Sequence, residues 1–502
     1  MSPHREAVVF DNVRLTYQEL NRRVNQLANA LTGMGYQKGD RLAVLAENTH
    51  KYLEVYFAAA KLGMSVTPLN FRLSDSEIEH IVNDSEAVCF MAADTYEERA
   101  QNLKGRLPRI KDWIALDNPF AGYVFYEDLI RDASTEEPLV EVDEDDMAIL
   151  MYTGGTTGLP KGVMMSHRNL MTALLGLTLN VGFTKDDVTC FILPLFHVSF
   201  WPALCCLMMG GKAVIIRKPD LNEILRQIQD EKCTHINAVP TLYGWMLQLE
   251  NFDDYDLSSL RLITYAGSPF PPQALKQCIQ KFKTNFAQAY GMTEALGGSY
   301  LGEDEHVLEG EKSRLLASAG RPMISADVRV VDENGQPVTS NVIGEVALTG
   351  RHVMIGYWKN PELTAKTIRG GWYHTGDMGY MDDEGYLFLV DRKADMIVTG
   401  GENVYPKETE DVLYEHPAVA NAAVVSAPDD RWGERVQAVV VLKAGQTATE
   451  KELIAHCKAK LAGYKCPKSI AFWDALPTTP VGKIIRKDVK KEFWKGRDRS
   501  IG

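Results

Sequence analysis

Hydrophobic and polar positions along this chain switch repeatedly between two rhythms. Short continuous apolar runs alternate with longer stretches in which apolar residues recur three or four positions apart. The runs at 41–46 (RLAVLA), 147–151 (MAILM), 212–217 (KAVIIR), 235–239 and 261–266 (RLITYA) predict buried strands, while Leu20, Val24, Leu27 and Leu31 trace one face of a helix. Thr16 with Glu19 and Ser74 with Glu77 read as capping boxes that open helices, and Gly33 and Gly35 read as a stop. Further helices are predicted through Tyr56 and Ala60 and over 221–231, with a short strand ending near Pro68. Strand and helix in alternation predict the α/β class, a large N-terminal domain of parallel-rich sheets with packed helices.

The run 191–211, FILPLFHVSFWPALCCLMMGG, is apolar enough and about long enough to span a bilayer. Pro194 and Pro202 interrupt it and His197 lies between them, so a buried strand, a turn and a core helix are expected instead.

The strand 147–151 leads into YTGGTTGLPKG, residues 152–162, with four glycines, three threonines and Lys161. Glycines let the backbone turn and approach a ligand closely, so that its N–H groups can face an anion. Hydroxyls and a cation complete a phosphate cradle. A Walker loop requires Gly before the lysine and Ser or Thr after it, whereas Pro160 and Gly162 flank Lys161. Ligands of open α/β sheets bind at the carboxyl ends of strands, where this loop falls.

At 502 residues two or more domains are expected. The formal charge of −13 excludes bulk attraction to nucleic acid. The eight cysteines contain no C-x-x-C, and the first residues, MSPHREAVVFDN, hold no apolar signal core. A cytoplasmic protein with reduced thiols is expected.

Other polar clusters follow. QAYGMTE (288–294) offers an aromatic plate at Tyr290, a hydroxyl at Thr293 and a carboxylate at Glu294 suited to magnesium. WYHTGD (372–377) offers Asp377 to a pair of neighbouring hydroxyls such as those of ribose. After DRKADMIVTGGENVYPKETE (391–410) the chain changes character into a compact run with the strand pair NAAVVSAP and VQAVVVLKAG and a helix near 453–461. Near its end PTTPVGKIIR (477–486) presents Lys483 beside a glycine. A boundary here divides residues 1–391 from a small α+β unit, 392–502.

Together, YTGGTTGLPKG, YGMTE, YHTGD, DRKADMIVTGGENVYP and PVGKIIR resemble, in order and spacing, the motifs of the adenylate-forming superfamily of acyl- and aryl-CoA synthetases, luciferases and peptide-synthetase adenylation domains. The resemblance implies an AMP-forming ligase that uses ATP, Mg2+ and coenzyme A. A carboxylate attacks the α-phosphate, and a thiol then displaces AMP. It assigns Thr153, Gly154, Gly155, Thr156, Thr157, Gly158 and Lys161 to the β- and γ-phosphates, Thr293 to the α-phosphate, and Thr156 with Glu294 to the metal. Tyr290 with the backbone at Gly267 and Ser268 would sandwich adenine, with Gln288, Gly291 and Met292 around the nucleotide, and Asp377 and Arg392 would hold the ribose. Lys483, on a mobile small domain, would bridge the carboxylate and the α-phosphate.

Gly400 and Gly401 resemble the point where the CoA branch admits the pantetheine arm. Trp432 and Tyr464 resemble aromatic positions that stack the CoA nucleotide, with Lys465 and Lys468 near its phosphates. Family members generally carry Asp or Lys at the hinge position occupied here by Ala394, which implies a slower thioester step. His197 resembles an aromatic gate of the acyl pocket, with Phe196, Val198, Trp201, Ala266, Gly267, Gly291, Met292 and Ala295 as apolar walls. YAGSPFPP resembles the fatty-acid branch, so a medium- or long-chain fatty acid is expected and an aryl acid of cinnamate or benzoate type is the alternative. A luciferase-like enzyme and a non-catalytic nucleotide binder are the other readings. Lys490, Lys491 and Lys495 form either a solvated helix face or a peripheral membrane contact. A homodimer stays open.

Overall fold

The computed structural model describes residues 2–153, 160–392, 395–399, 402–429, 431–479 and 484–495. The capping boxes form as the sequence predicts: Thr16 accepts from Glu19 N ahead of the helix Tyr17–Gly33, and Ser74 does the same for Asp75–Asp84. Leu20, Val24, Leu27 and Leu31 are the buried face of the first helix.

Two large sheets carry most of the chain. One has nine strands, in the order Arg321–Pro322, Ala295–Leu301, Asn285–Met292, Leu262–Ala266, His235–Ala238, Val188–Phe191, Lys212–Ile215, Glu6–Phe10 and Val13–Thr16. Its centre, from Asn285–Met292 to Glu6–Phe10, is parallel. The other has eight strands, with Met147–Thr153 parallel to Ser65–Pro68 and antiparallel to Lys161–Ser166. Parallel strands need crossovers, and the helices that the sequence pattern marked supply them. One core cluster draws on residues of both sheets.

The 191–211 run resolves as the strand Val188–Phe191, a turn, a short 3-10 segment Val198–Phe200 and the helix Trp201–Met208. Among the described residues no helix is long and apolar enough to cross a membrane.

A third, five-stranded sheet is wholly antiparallel: Asp327–Val331, Gly344–Thr349, Trp372–Met381, Ile368–Arg369 and Leu387–Arg392. The sequence pattern did not single it out, because its strands are short or half exposed and their apolar runs are weak. The fourth sheet pairs Val419–Asp429 with Gly433–Leu442, adds Ile397–Thr399 and Glu402–Val404, and places Ser469–Phe472 parallel to Gly433–Leu442. Two core clusters consist only of residues between Ile397 and Phe493. The helix expected near 453–461 spans Glu450–Lys458, because Thr449 and Glu452 form a capping box that starts it earlier. The C-terminal helix Arg486–Phe493 buries Val489 on one side, and the following Trp494 Nε1 donates to Ser426 O at 2.8 Å, while Lys491 and Lys495 are exposed.

Candidate active site

The phosphate-cradle stretch joins two paired strands. Thr153 ends Met147–Thr153 directly opposite Lys161, which begins Lys161–Ser166, so the connection is a β-hairpin. Gly154, Gly155, Thr156, Thr157 and Gly158 lie outside the described residues. Gly162 is closely packed: a Cβ there would sit 3.0 Å from Leu150 Cδ1 and 3.1 Å from Trp358 Cβ. Lys161 Nζ lies 5.7 Å from the ring centre of Tyr357, close enough for a cation–π contact.

Tyr357 links this lysine to the second cluster, donating its hydroxyl to Glu294 Oε1 at 2.9 Å. Thr293 and Glu294 are the two-residue turn between Asn285–Met292 and Ala295–Leu301, with Met292 opposite Ala295. That turn projects both polar side chains from a sheet end, and Thr293 is largely buried. Gly291 permits the hairpin to close, since a Cβ would meet Gly297 N at 2.6 Å.

The neighbouring strand Leu262–Ala266 runs parallel to Asn285–Met292 with Ala266 beside Ala289. Gly267, Ser268, Tyr290 and Gly291 therefore leave adjacent strands at the same edge. Gly267 turns there with φ +83°, a conformation glycine adopts freely. Gln288 sits two positions earlier on its strand and is partly buried.

Tyr290 points its hydroxyl at Asp377 Oδ2, 2.7 Å away, and Arg392 Nε meets Asp377 Oδ1 at 3.2 Å. Asp377 and Arg392 face each other on paired strands of the third sheet. Burial and the Asp377 charge push the Tyr290 phenol well above its ordinary pKa, so it stays a donor. Three residues named from separate motifs thus form one cluster.

His197 belongs to the turn after Val188–Phe191, where His197 N donates to Pro194 O at 3.0 Å. Asn48 holds that turn: its Nδ2 donates to Leu193 O at 3.1 Å and its Oδ1 accepts from Leu195 N at 2.8 Å. Phe71 meets Phe196 edge-on, and Phe200 stacks between Tyr56 and Trp201.

In turns that adjoin the fourth sheet, Trp432 and Tyr464 are 46% and 38% exposed, presenting ring surface to solvent. Lys465 pairs with Glu408 at 2.5 Å, and exposed Lys468 donates to Gly463 O at 3.1 Å. Arg431 lies over Trp432, 4.5 Å from the ring centre. Lys483, Ala394, Gly400 and Gly401 lie outside the described residues.

Tyr357, Asn48 and Arg431 escaped the sequence reading. Adjacent aromatics recur along the chain, so Tyr357 beside Trp358 does not stand out, and nothing in the spacing linked it to Glu294.

The fold and this cluster define an adenylate-forming enzyme of the acid–thiol ligase class. The chain belongs to the AMP-binding enzymes: the AMP-binding enzyme family model matches residues 1–358 and that of the AMP-binding enzyme C-terminal domain matches 408–483. A feruloyl-CoA synthase from an Amycolatopsis species is 39% identical over 98% of this chain and 97% of its own length. The long-chain-fatty-acid–CoA ligase FadD13 of Mycobacterium tuberculosis is 34% identical over 98% and 96%. Among solved structures, ATP-bound MatB from Rhodopseudomonas palustris superposes with TM-score 0.90 at 29% identity, covering 99% of this chain and 97% of that one.

Proposed function

We propose that this AMP-forming acyl- or aryl-CoA ligase activates an aromatic acid of the hydroxycinnamate kind. The observation that carries the substrate class is Trp201. Its indole Nε1 is buried with no hydrogen-bond partner among the described residues, although buried donors are normally paired. That nitrogen is closed to solvent here, so substrate binding would have to part the rings around it before a phenolic or methoxy oxygen on the substrate ring accepted the hydrogen bond. The stacked rings of Tyr56, Phe200 and Trp201 suit a flat ligand. The similarity to feruloyl-CoA synthase supports the same reading. A fatty acid is the second reading, favoured by the likeness to FadD13 and by the apolar walls around His197.

In the adenylation step the substrate carboxylate oxygen bonds to the α-phosphorus of ATP as the bond to the bridging oxygen breaks, and pyrophosphate leaves. Catalysis of this step is mainly positioning and charge stabilisation. Thr153, the 154–158 loop and Lys161 hold the β- and γ-phosphates, and Thr293 meets the α-phosphate. Gly267, Ser268, Gln288, Gly291 and Met292 border the base, while Tyr290 lies against it and is fixed by Asp377, which together with Arg392 takes the ribose hydroxyls. Lys483 bridges the reacting carboxylate and the α-phosphate. The thiol of CoA, entering past Gly400 and Gly401, then attacks the acyl carbon and AMP departs. Trp432 and Arg431 meet the CoA nucleotide, with Tyr464 nearby on the same small unit, 392–502.

Magnesium fits the oxygen donors present. Glu294 has one oxygen fixed by Tyr357, and among the described residues no salt bridge reaches it and no group of three ligating side chains forms a cage. A cation held by Glu294, Thr156 and the phosphates themselves matches the ion's habit of binding through one or two protein oxygens. When bound, it would neutralise charge on the departing pyrophosphate.

Pyrophosphate release over a panel of carboxylic acids, with and without CoA, tests the proposal. Ferulate and related acids should exceed saturated acids of eight to sixteen carbons in kcat/KM by at least about tenfold. A preference for the saturated chains would replace this substrate reading with the second one.

A further inference from the structure

Arg486 opens the helix Arg486–Phe493, three residues after Lys483. Its guanidinium is shared among three carboxylates. Nε donates to Glu410 Oε1 at 3.0 Å and Nη2 also reaches Glu410, while Nη1 lies 3.5 Å from Asp391 Oδ1 and 3.7 Å from Asp395 Oδ2.

The acids come from different pieces of chain. Glu410 sits in the helix Pro406–Tyr414, and Asp391 in the last strand of the third sheet. Asp391 and Asp395 flank the pair 393–394, so residues on both sides of that junction meet on one side chain. Asp391 is anchored further by backbone: Oδ2 accepts from Lys407 N at 2.9 Å and Oδ1 from Arg392 N at 2.7 Å. Burial raises the Asp391 carboxyl to about 6 against the pull of Arg486, so the ionised acid depends on that guanidinium. Toward the other end, Thr478 pairs with Ile484, and Ile485 N donates to Pro477 O at 2.8 Å. These contacts form the stem of the 479–483 loop, and Arg486 follows it directly.

We propose that Arg486 is a positioning residue for adenylation. By pairing with Asp391 and Asp395 across the 393–394 junction, it fixes the stem of the Lys483 loop relative to the strand Leu387–Arg392. This rests on the role proposed for Lys483. It also supplies a polar contact beside position 394, where the methyl group of Ala394 offers no hydrogen-bonding atom. A planar fork can serve several carboxylates at once, which an ammonium cannot. Removing it would leave acids facing one another without compensation.

The test uses full-length Arg486→Lys, Arg486→Met, Asp391→Asn and the Asp391→Asn/Arg486→Met double variant. Adenylation is followed by ATP–pyrophosphate exchange, thioester formation from a preformed acyl-adenylate, and folding by thermal melting. Arg486→Met should lower the adenylation kcat by about ten- to a hundredfold with KM for ATP unchanged. Arg486→Lys should recover only part of that loss. Asp391→Asn should partly restore Arg486→Met, because it removes the acid left unpaired. Wild-type adenylation kcat in both arginine variants would overturn the inference, as would strictly additive losses in the double variant. Lys483→Ala separates the two readings: if it leaves adenylation intact the role of Lys483 fails, whereas if it abolishes adenylation while Arg486→Met does not, only the role of Arg486 fails.

Discussion

Tyr290 donates to Asp377 across 2.7 Å, tying the strand that precedes the Thr293–Glu294 turn to the third sheet. Asp377 must then offer its remaining acceptor capacity to Arg392 and to whatever hydroxyls arrive in the site. Tyr290→Phe keeps the ring and deletes the bond. A net hydrogen bond is worth about 1 kcal/mol, so KM for ATP should rise about fivefold while kcat changes little. Initial-rate kinetics of pyrophosphate release at varied ATP would check this, and an unchanged KM would disconnect the pair from nucleotide binding.

Much of this arrangement was legible in the chain. The motif at 152–162 stands at a sheet end because it follows 147–151, a run whose residue pattern marks a strand, whereas the strands that carry 288–294 and 372–377 were not marked by theirs. The capping boxes at Thr16 and Ser74 form as read, since both partners lie within one turn. What was not legible depends on pairing across sequence distance. The Tyr357–Glu294 bond spans 63 residues, and no local rule connects the two. The antiparallel third sheet was missed because Trp372–Met381 is only partly buried along most of its length and lacks a clear alternation. The Lys465–Glu408 pair spans 57 residues and was equally out of reach of local reading, whereas the resemblance had placed Lys465 near the CoA phosphates.

Lys483→Ala should reduce acyl-adenylate formation by at least about a thousandfold, as expected when a charge aimed at the reacting phosphoryl is lost. Thioester formation from supplied acyl-adenylate should persist. Ala394→Lys addresses the other half-reaction and should speed it. Rapid-quench measurement of each half-reaction decides both, and equal loss of the two in Lys483→Ala would remove that lysine from its proposed role.

Trp201→Phe retains an aromatic ring and removes the indole N–H. With ferulate the loss should be about five- to tenfold in kcat/KM, the value of one buried hydrogen bond. A saturated acid of comparable length offers no acceptor there and should be unaffected. A matched fall for both acids would show that the indole serves packing alone.

Trp432→Ala should raise KM for CoA by about tenfold, the worth of one stacked base, and leave ATP–pyrophosphate exchange untouched. Arg431→Ala should act in the same direction but less, since the exposed cation rests on Trp432 and is screened by solvent. Steady-state kinetics at varied CoA and two ionic strengths would separate ring from charge, because only the arginine's effect should shrink with added salt.

Asp187 contributes to the acid dependence of stability at the nine-stranded sheet. It sits just before the strand Val188–Phe191, pairs with Arg261 Nε at 2.6 Å, and accepts from Thr234 Oγ1 and Thr184 N, each at 2.7 Å. Burial alone would raise its pKa, but the Arg261 and hydroxyl contacts prevail and hold it at about 2. Because the folded value lies below the unfolded one of about 3.8, the stabilisation is present above the unfolded pKa and is lost as pH falls toward the folded one. Asp187→Asn should therefore cost about 1–2 kcal/mol at neutral pH. In urea titrations the gap between wild type and variant should stay constant from pH 7 to about 5, then close progressively as pH falls toward about 2. A gap independent of pH would assign the loss to altered hydrogen bonding, with no contribution from the charge of Asp187.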